Sequence, residues 1–185
     1  MKPAATSREE ILNASRKLVS SKGWNDLSIR SLAAECEVSI GCLYNYFPSK
    51  NELLSATVTT IWREIFHLPP GMTEQSDLKA VLRQWYAQMA EGSKKYPGFA
   101  ALHSALIAGE ERKESAELMK RAWAQIIRTI KKLVETDPGV KQERLQGAFG
   151  AEQAAQVLFS ILLSSVIRED YDSSLILQTT DQLLF

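Results

Sequence analysis

The sequence predicts an all-α protein with about nine helices, because apolar residues recur every three or four positions along almost the whole chain. Alternation of β-branched residues, which would indicate strands, is nearly absent. Serine and glutamate also stand three residues apart at Ser7–Glu10 and at Ser49–Glu52. At that spacing each side chain can satisfy a backbone donor in the first turn of a helix. The helical period of apolar residues, the near absence of a strand pattern and the helix start signals therefore all predict an all-α fold.

Composition and charge describe an ordinary globular chain. Its 185 residues have a formal net charge of zero, with 45% hydrophobic and 24% charged residues, so nucleic-acid binding would require a local arrangement of side chains. No secretory signal pattern opens the chain, and no apolar run approaches about 18 residues. Cys36 and Cys42 have no metal-ligand pattern around them and are expected to be reduced thiols. We therefore expect a cytoplasmic protein without a membrane segment.

The first four helices follow from their caps and breakers. Ser7 starts a helix that ends at Gly23, and a short second helix is predicted over Ser28–Cys36. After a turn at Glu37–Val38, a third helix covers Ser39–Tyr46. Pro48 ends that helix, and a fourth runs from the Ser49 cap to about His67.

The stretch "LPPGM" at 68–72 is the clearest breaker in the chain and the best candidate boundary. We predict a first domain over residues 1–50, a connecting helix over 51–67 and a C-terminal domain over 68–185. The apolar period predicts the remaining helices near 76–95, 97–109, 114–135, 151–169 and 173–184.

Two short helices joined by a tight turn and braced by another helix form a helix-turn-helix, whose second helix enters the DNA major groove. Leu32, Ala33 and Leu43 supply the small apolar contacts that would lock the pair. The other side of the third helix then carries hydroxyls, an amide and phenols, which suit phosphates and base edges. These residues are Ser39, Ile40, Gly41, Cys42, Tyr44, Asn45 and Tyr46, with Lys50 placed to hold a phosphate at the next helix start. Alternatively, the two tyrosines are core aromatics, and Asn45 and Lys50 are ordinary solvated side chains.

The string "ILNASRKLVSSKGWNDLSIRSLAAECEVSIGCLYNYFPSKNELL", residues 11–54, resembles the DNA-binding domain of TetR-family transcriptional regulators. The shared features are the glycine after the first helix, Val-Ser, Gly-x-Leu-Tyr-x-x-Phe and Lys-x-x-Leu. The resemblance implies that Tyr44 and Lys50 hold phosphates and that Ser28 and Cys42 lie against the DNA backbone. It also implies groove or base contacts by Arg30, Ile40, Gly41, Asn45 and Tyr46.

Three residues depart from the family pattern. Glu37 stands in the turn where the family usually has glycine, and a left-handed non-glycine residue there would cost about 1–2 kcal/mol. Cys42 replaces threonine or alanine, and Ile40 can offer only apolar contact, for example to a thymine methyl group.

The local charge of the predicted DNA-binding domain is modest. Residues 1–50 hold seven cationic side chains against five carboxylates, a net +2. Such a domain is expected to bind weakly alone and to need a dimer on two half-sites.

The helices after residue 60 carry many aromatic and sulfur-containing side chains. These side chains could be core, or some could line an apolar pocket for a small effector, as the resemblance implies. The candidates are Trp62, Phe66, Trp85, Tyr86, Met89, His103, Leu106, Met119, Trp123 and Ile127.

The segment "AEQAAQVLFSILLSSVI", residues 151–167, is apolar nearly all round, so we expect it to be buried on several sides. It could be the central helix of a monomer, or it could also pack against a second copy, as in the family's homodimers. The predicted dimer residues are Ala155, Phe159, Leu162, Leu163, Val166, Leu175 and Ile176.

Together these features predict a ligand-responsive DNA-binding transcriptional regulator, which we expect to be a repressor. It would bind a palindromic double-stranded DNA operator as a homodimer and be released by a small apolar or aromatic inducer. The alternatives are a protein of this fold that acts through protein contacts without operator binding, and a helical small-molecule carrier. The sequence offers no catalytic triad, phosphate loop or complete metal-ligand set, so we expect no enzyme activity, cofactor or metal.

Overall fold

The computed structural model describes residues 6–68, 71–72, 77–101 and 112–185, with the side chains of 112–116 left out. Within these ranges the chain is helical and has no strand, which confirms the predicted all-α fold. The described helices begin and end within two residues of the predicted bounds, and residues 99–101 are also helical. They are α1 Arg8–Lys22, α2 Ile29–Glu35, α3 Ile40–Tyr46, α4 Lys50–Ile65, α5 Leu78–Lys95, α6 Arg112–Thr136, α7 Ala151–Arg168 and α8 Ser174–Leu184, with 3₁₀ turns at Trp24–Asp26 and Gln142–Arg144.

The chain divides into two compact units. Unit 1 comprises Met1–Glu64 and Ser93–Lys120, and unit 2 comprises Ile65–Gly92 and Arg121–Phe185. The chain passes from one unit to the other within α4, α5 and α6. The domain bounds expected from the sequence, 1–50, 51–67 and 68–185, rest on breaker residues and stay a prediction. None of the described helices is long and apolar enough to cross a membrane.

The helix starts of unit 1 are fixed by local hydrogen bonds, as predicted. Each cap serine accepts the backbone N–H of the residue three positions later at 3.1–3.2 Å. Such a bond satisfies one of the four N–H groups that a helix start leaves unpaired. The four caps are Ser7, Ser28, Ser39 and Ser49.

Glu64 holds unit 1 together near the end of α4. Its carboxylate accepts hydrogen bonds from Arg16 Nη1 at 2.6 Å, Lys95 Nζ at 2.5 Å and the Tyr96 hydroxyl at 2.9 Å. Burial raises the pKa of this carboxyl, but the hydrogen bonds from Lys95 and Tyr96 and the charge of Arg16 outweigh burial and hold the pKa below its usual value. One ionised carboxylate thus joins α1, α4 and the end of α5.

Asp137 plays the corresponding part in unit 2. Its side chain is buried, with Oδ2 accepting the N–H of Leu78 at the start of α5 and Oδ1 accepting the N–H of Gly139, both at 2.8 Å. Asp77 caps the same helix from its exposed side by accepting the N–H of Ala80 at 2.8 Å. The loop after α6 is therefore fastened to the first turn of α5.

Candidate nucleic-acid interface

Helices α2 and α3 form a helix-turn-helix whose packing surface is small and apolar. Leu32 and Leu43 are fully buried, Ala33 is nearly so, and the backbone N–H of Val38 donates to the carbonyl of Ala33 at 3.0 Å. A larger residue at position 33 would push the two helices apart, since side-chain volume sets the distance between packed helices.

The turn between α2 and α3 adopts the strained conformation considered from the sequence. Glu37 has φ 54°, in the left-handed region, and its N–H reaches the carbonyl of Ala34 at 3.3 Å. The expected cost of about 1–2 kcal/mol for a non-glycine residue is therefore present. The Glu37 side chain is exposed, and among the described residues it has no hydrogen bond or ion pair that would offset this cost.

The outer side of α3 presents a mixed polar and apolar surface. Ile40 is 43% exposed and Tyr44 is 49% exposed, while Leu43 and Phe47 on the inner side are fully buried. The hydroxyl of Tyr44 and the amide of Asn45 can therefore reach a partner. We call the exposed residues of this side the reading face: Ser39, Ile40, Gly41, Tyr44 and Asn45.

Three of the ten predicted DNA-contact residues are partly covered. Ser28 exchanges hydrogen bonds with Ser31, and Cys42 is a half-buried free thiol. The hydroxyl of Tyr46 donates to the carbonyl of Thr6 at 2.6 Å, so it fastens the chain just before α1. Arg30 and Lys50 are exposed, as is the whole reading face.

Two long-range contacts of this region had no signal in the sequence. Besides the bond from Tyr46 to Thr6, the guanidinium carbon of Arg8 lies 4.9 Å from the centre of the Phe47 ring. Both contacts join the start of α1 to the end of α3. The serine cap at Ser7 predicts where α1 begins, but no local pattern predicts which distant residues the start of this helix contacts.

The predicted pocket residues lie in both units. Trp62 and Met119 belong to unit 1, whereas the other described candidates belong to unit 2, and His103 and Leu106 lie outside the described residues. In unit 2 the rings of Phe66 and Trp85 meet edge to face at 5.5 Å, and the hydroxyls of Tyr86 and Ser165 are 2.8 Å apart. Most of the described candidates are buried; Trp123 and Ile127 are half-buried.

A surface groove of about 560 Å³ runs along α1 and α4 in unit 1 and is lined by none of these candidates. The ligand pocket stays a prediction.

Most of the predicted dimer residues are covered within the single chain. Leu163 is half-buried and Leu175 is 52% exposed, so only these two retain surface for a partner. The other five predicted residues are buried in the single chain: Ala155, Phe159, Leu162, Val166 and Ile176. Val157 at 38% exposure and Ile167 at 52%, both on α7, are large apolar side chains outside the predicted set. The dimer interface stays a prediction.

A family model described as bacterial regulatory proteins of the tetR family matches residues 11–57. The regulator YuxN of Bacillus subtilis is 38% identical over 56 residues, which is 30% of this chain and 19% of YuxN. The repressor KstR of Rhodococcus jostii is 34% identical over 83 residues, covering 42% of this chain and 38% of KstR. These matches therefore span well under half of either relative's own length.

Solved structures resemble the chain over nearly its whole length. BioQ bound to its double-stranded DNA operator has a TM-score of 0.63 at 18% identity, covering 97% of this chain and 98% of BioQ. Thermus thermophilus FadR, a TetR-family repressor in complex with lauroyl-CoA, has a TM-score of 0.61 at 22% identity over 89% of this chain and 83% of FadR. At such identities the likeness concerns the fold. Residues 11–57, which contain the helix-turn-helix, are thus similar in sequence to the tetR family of bacterial regulatory proteins, and the chain as a whole is similar in fold to these solved structures.

Proposed function

We propose that the chain is a transcriptional repressor that binds a palindromic operator as a homodimer, with the reading face of α3 in the major groove, and that a small apolar or aromatic effector releases it. The match of residues 11–57 to the tetR-family model supports this proposal, as do the exposed phenol and amide on α3. Arg30 and Lys50 are exposed on the neighbouring helix starts and suit phosphate contacts.

Gly41 carries the argument for a partner at the reading face. It lies inside α3 without a positive φ, and no heavy atom of the described residues lies within 4 Å of where a Cβ would stand. Neither backbone conformation nor packing therefore requires glycine, which destabilises a helix by about 0.5–1 kcal/mol relative to alanine. The absent side chain leaves room for something outside the chain. A DNA backbone or base edge that approaches α3 closely would explain why glycine stands at this position.

The dimer follows from the modest local charge and from the apolar surface of unit 2. A net +2 over residues 1–50 is small for neutralising phosphates, so two copies on two half-sites are needed for useful affinity. Val157 and Ile167 on α7 and Leu175 on α8 are large apolar side chains exposed on neighbouring helices. With the half-buried Leu163, they form the exposed apolar surface that we propose as the centre of a two-fold dimer interface.

Effector release would act through α4. This helix begins at Lys50, four residues after the end of α3, and ends at Ile65, the first residue of unit 2. FadR, of similar fold, is described with bound lauroyl-CoA, whose acyl chain is apolar, and this supports an effector with an apolar part. An effector that binds better to a conformation with differently spaced α3 helices lowers DNA affinity by linkage.

Fluorescence anisotropy with duplex DNA from the gene's own upstream region tests the proposal. We expect Tyr44→Ala and Lys50→Ala each to weaken binding at least about tenfold, because each removes a phosphate contact. Lys141→Ala removes an exposed lysine of unit 2 and is the matched control, expected to bind like the wild type. Circular dichroism checks that all variants fold.

Two results would contradict operator binding. One is a wild-type protein that binds neither upstream DNA nor any duplex selected from a random library. The other is a pair of folded Tyr44 and Lys50 variants whose affinity equals that of the wild type. For the effector, the anisotropy is repeated with saturating candidate ligands, and no change across a broad panel speaks against release.

A further inference from the structure

We infer that Glu37 limits the affinity of this protein for DNA, because its carboxylate stands at the entrance of α3 and repels the phosphates that the helix approaches. The inference rests on the proposed function and concerns a residue outside the reading face. It assigns to one side chain the role of keeping binding weak and reversible.

Position is the first observation. Glu37 precedes the α3 cap, Ser39, by two residues, so their Cα atoms are at most about 7 Å apart. The Glu37 side chain therefore stands beside the helix proposed to enter the major groove, whose edges are lined by phosphates. Repulsion over separations up to about one Debye length, roughly 10 Å at 0.1 M salt, is only partly screened.

The second observation is that the charge is not neutralised within the described part of the protein. The neighbouring Glu35 has Lys17 Nζ at 3.8 Å, whereas Glu37 is exposed without an ion pair. Glu10 and Glu35 add to the negative potential here, since burial first and these two carboxylates next raise the pKa of the Cys36 thiol. The turn therefore opposes an approaching polyanion.

The third observation is that the fold gains nothing visible from glutamate at this position. The left-handed φ of 54° favours glycine, and within the described residues the side chain has no hydrogen bond or ion pair that offsets the strain. Strain without compensation in the free protein points to a function outside its own packing. The competing explanation is a favourable interaction of the carboxylate with the N-terminal dipole of α3. That explanation predicts a loss of stability when the charge is removed.

Two substitutions separate the effect of the Glu37 charge on DNA binding from the effect of its backbone strain. Glu37→Gln removes the charge and keeps the backbone strain, whereas Glu37→Gly removes both. Glu143→Gln changes the net charge equally at an exposed site in unit 2 and is the control. Binding is measured by fluorescence anisotropy with a 30-base-pair random-sequence duplex and with upstream DNA, at 50 and 300 mM NaCl.

We expect Glu37→Gln to bind both duplexes roughly threefold to tenfold more tightly than the wild type at 50 mM NaCl, because a dimer carries two copies of the charge. The gain should fall below about twofold at 300 mM NaCl. Glu37→Gly should bind at least as tightly and melt at a higher temperature, while Glu143→Gln should bind like the wild type.

Equal affinity of Glu37→Gln and wild type at 50 mM NaCl overturns the inference, as does a gain shared by Glu143→Gln. A lower melting temperature of Glu37→Gln without tighter binding supports the dipole explanation and overturns the inference as well. These results leave operator binding intact. A wild-type protein that binds neither duplex at 50 mM NaCl contradicts the proposed function itself, and the inference falls with it.

Discussion

Helices α3 and α7 both expose large apolar side chains, but the neighbours of those side chains differ. On α3, Ile40 and Tyr44 alternate with a hydroxyl, a glycine and an amide, all exposed on a helix of seven residues. On α7, Val157 and Ile167 stand on a helix of 18 residues whose other apolar side chains are mostly buried. Exposure of an apolar side chain alone therefore does not identify a partner. Its setting adds information: a compact group of hydrogen-bonding side chains, as on α3, favours a polar polyanion, whereas exposed apolar side chains on two adjoining helices, as on α7 and at Leu175 on α8, favour another protein surface.

Charging the exposed apolar residues of α7 should have the largest effect. Val157→Glu with Ile167→Glu leaves the folded chain intact because both sites are exposed, but places carboxylates in the proposed interface. We expect the dimer dissociation constant to rise at least about 100-fold, measured by analytical ultracentrifugation. Gln146→Glu adds a charge in the exposed loop before α7 and should leave dimerisation unchanged. A double variant that dimerises like the wild type would remove α7 from the interface.

Next in size is the loss of the Asp137 anchor in unit 2. Asp137→Ala leaves the N–H groups of Leu78 and Gly139 without their acceptor at a buried site, which should cost about 2–3 kcal/mol. Thermal unfolding should show a melting temperature lower by roughly 4–10 °C. Asp77→Ala removes the exposed cap of the same helix and should cost about 1 kcal/mol. Equal losses in the two variants would contradict the anchoring role of Asp137.

Alanine at two helical glycines should give opposite results in the two units. Gly41→Ala in α3 should raise stability by about 0.5–1 kcal/mol and weaken DNA binding roughly tenfold, because its new methyl group meets only the partner. Gly92→Ala in α5 should instead destabilise the protein, since its Cβ would stand 2.8 Å from the side chain of Ile65. Urea denaturation and anisotropy measure both effects. Unchanged DNA affinity of Gly41→Ala would show that nothing approaches this side of α3.

The smallest expected effect concerns the Glu64 anchor of unit 1 and depends on pH. The folded-state pKa of Glu64 lies below the unfolded value of about 4.3, so its contribution is present above that pH and is lost as the pH falls through the folded pKa. Because the site is partly exposed, Glu64→Gln should cost no more than about 1 kcal/mol at pH 7.

Urea denaturation measures the free energy of unfolding of the wild type and of Glu64→Gln. The difference between the two values should disappear as the pH falls below 4. Glu143→Gln removes a carboxylate from an exposed site without an ion pair among the described residues and serves as the control. If the difference in free energy of unfolding between the wild type and Glu64→Gln stays constant down to low pH, the charge of Glu64 does not stabilise the fold.

The features that the sequence predicted well are those formed by residues close to one another along the chain. Cap serines act on residues three positions away, so the starts of α1 to α4 follow from spacing alone. The bonds from Tyr46 to Thr6 and from Leu78 to Asp137 join residues 40 and 59 positions apart, and no periodic pattern encodes such pairs. The apolar pattern of α7 likewise predicted burial but could not separate burial within the chain from burial against a second copy. Five of the seven residues predicted for the dimer interface are buried within the single chain, and the interface itself stays a prediction.

The hydrogen bond between Tyr46 and Thr6 has a practical consequence for experiments. It pins the polypeptide ahead of α1 to the last turn of α3, so a tag fused ahead of Thr6 would be tethered close to the proposed DNA-binding surface. A polyhistidine or acidic leader placed there would add its own charges near that surface. DNA titrations on tagged material would then report on the tag as well as on the protein.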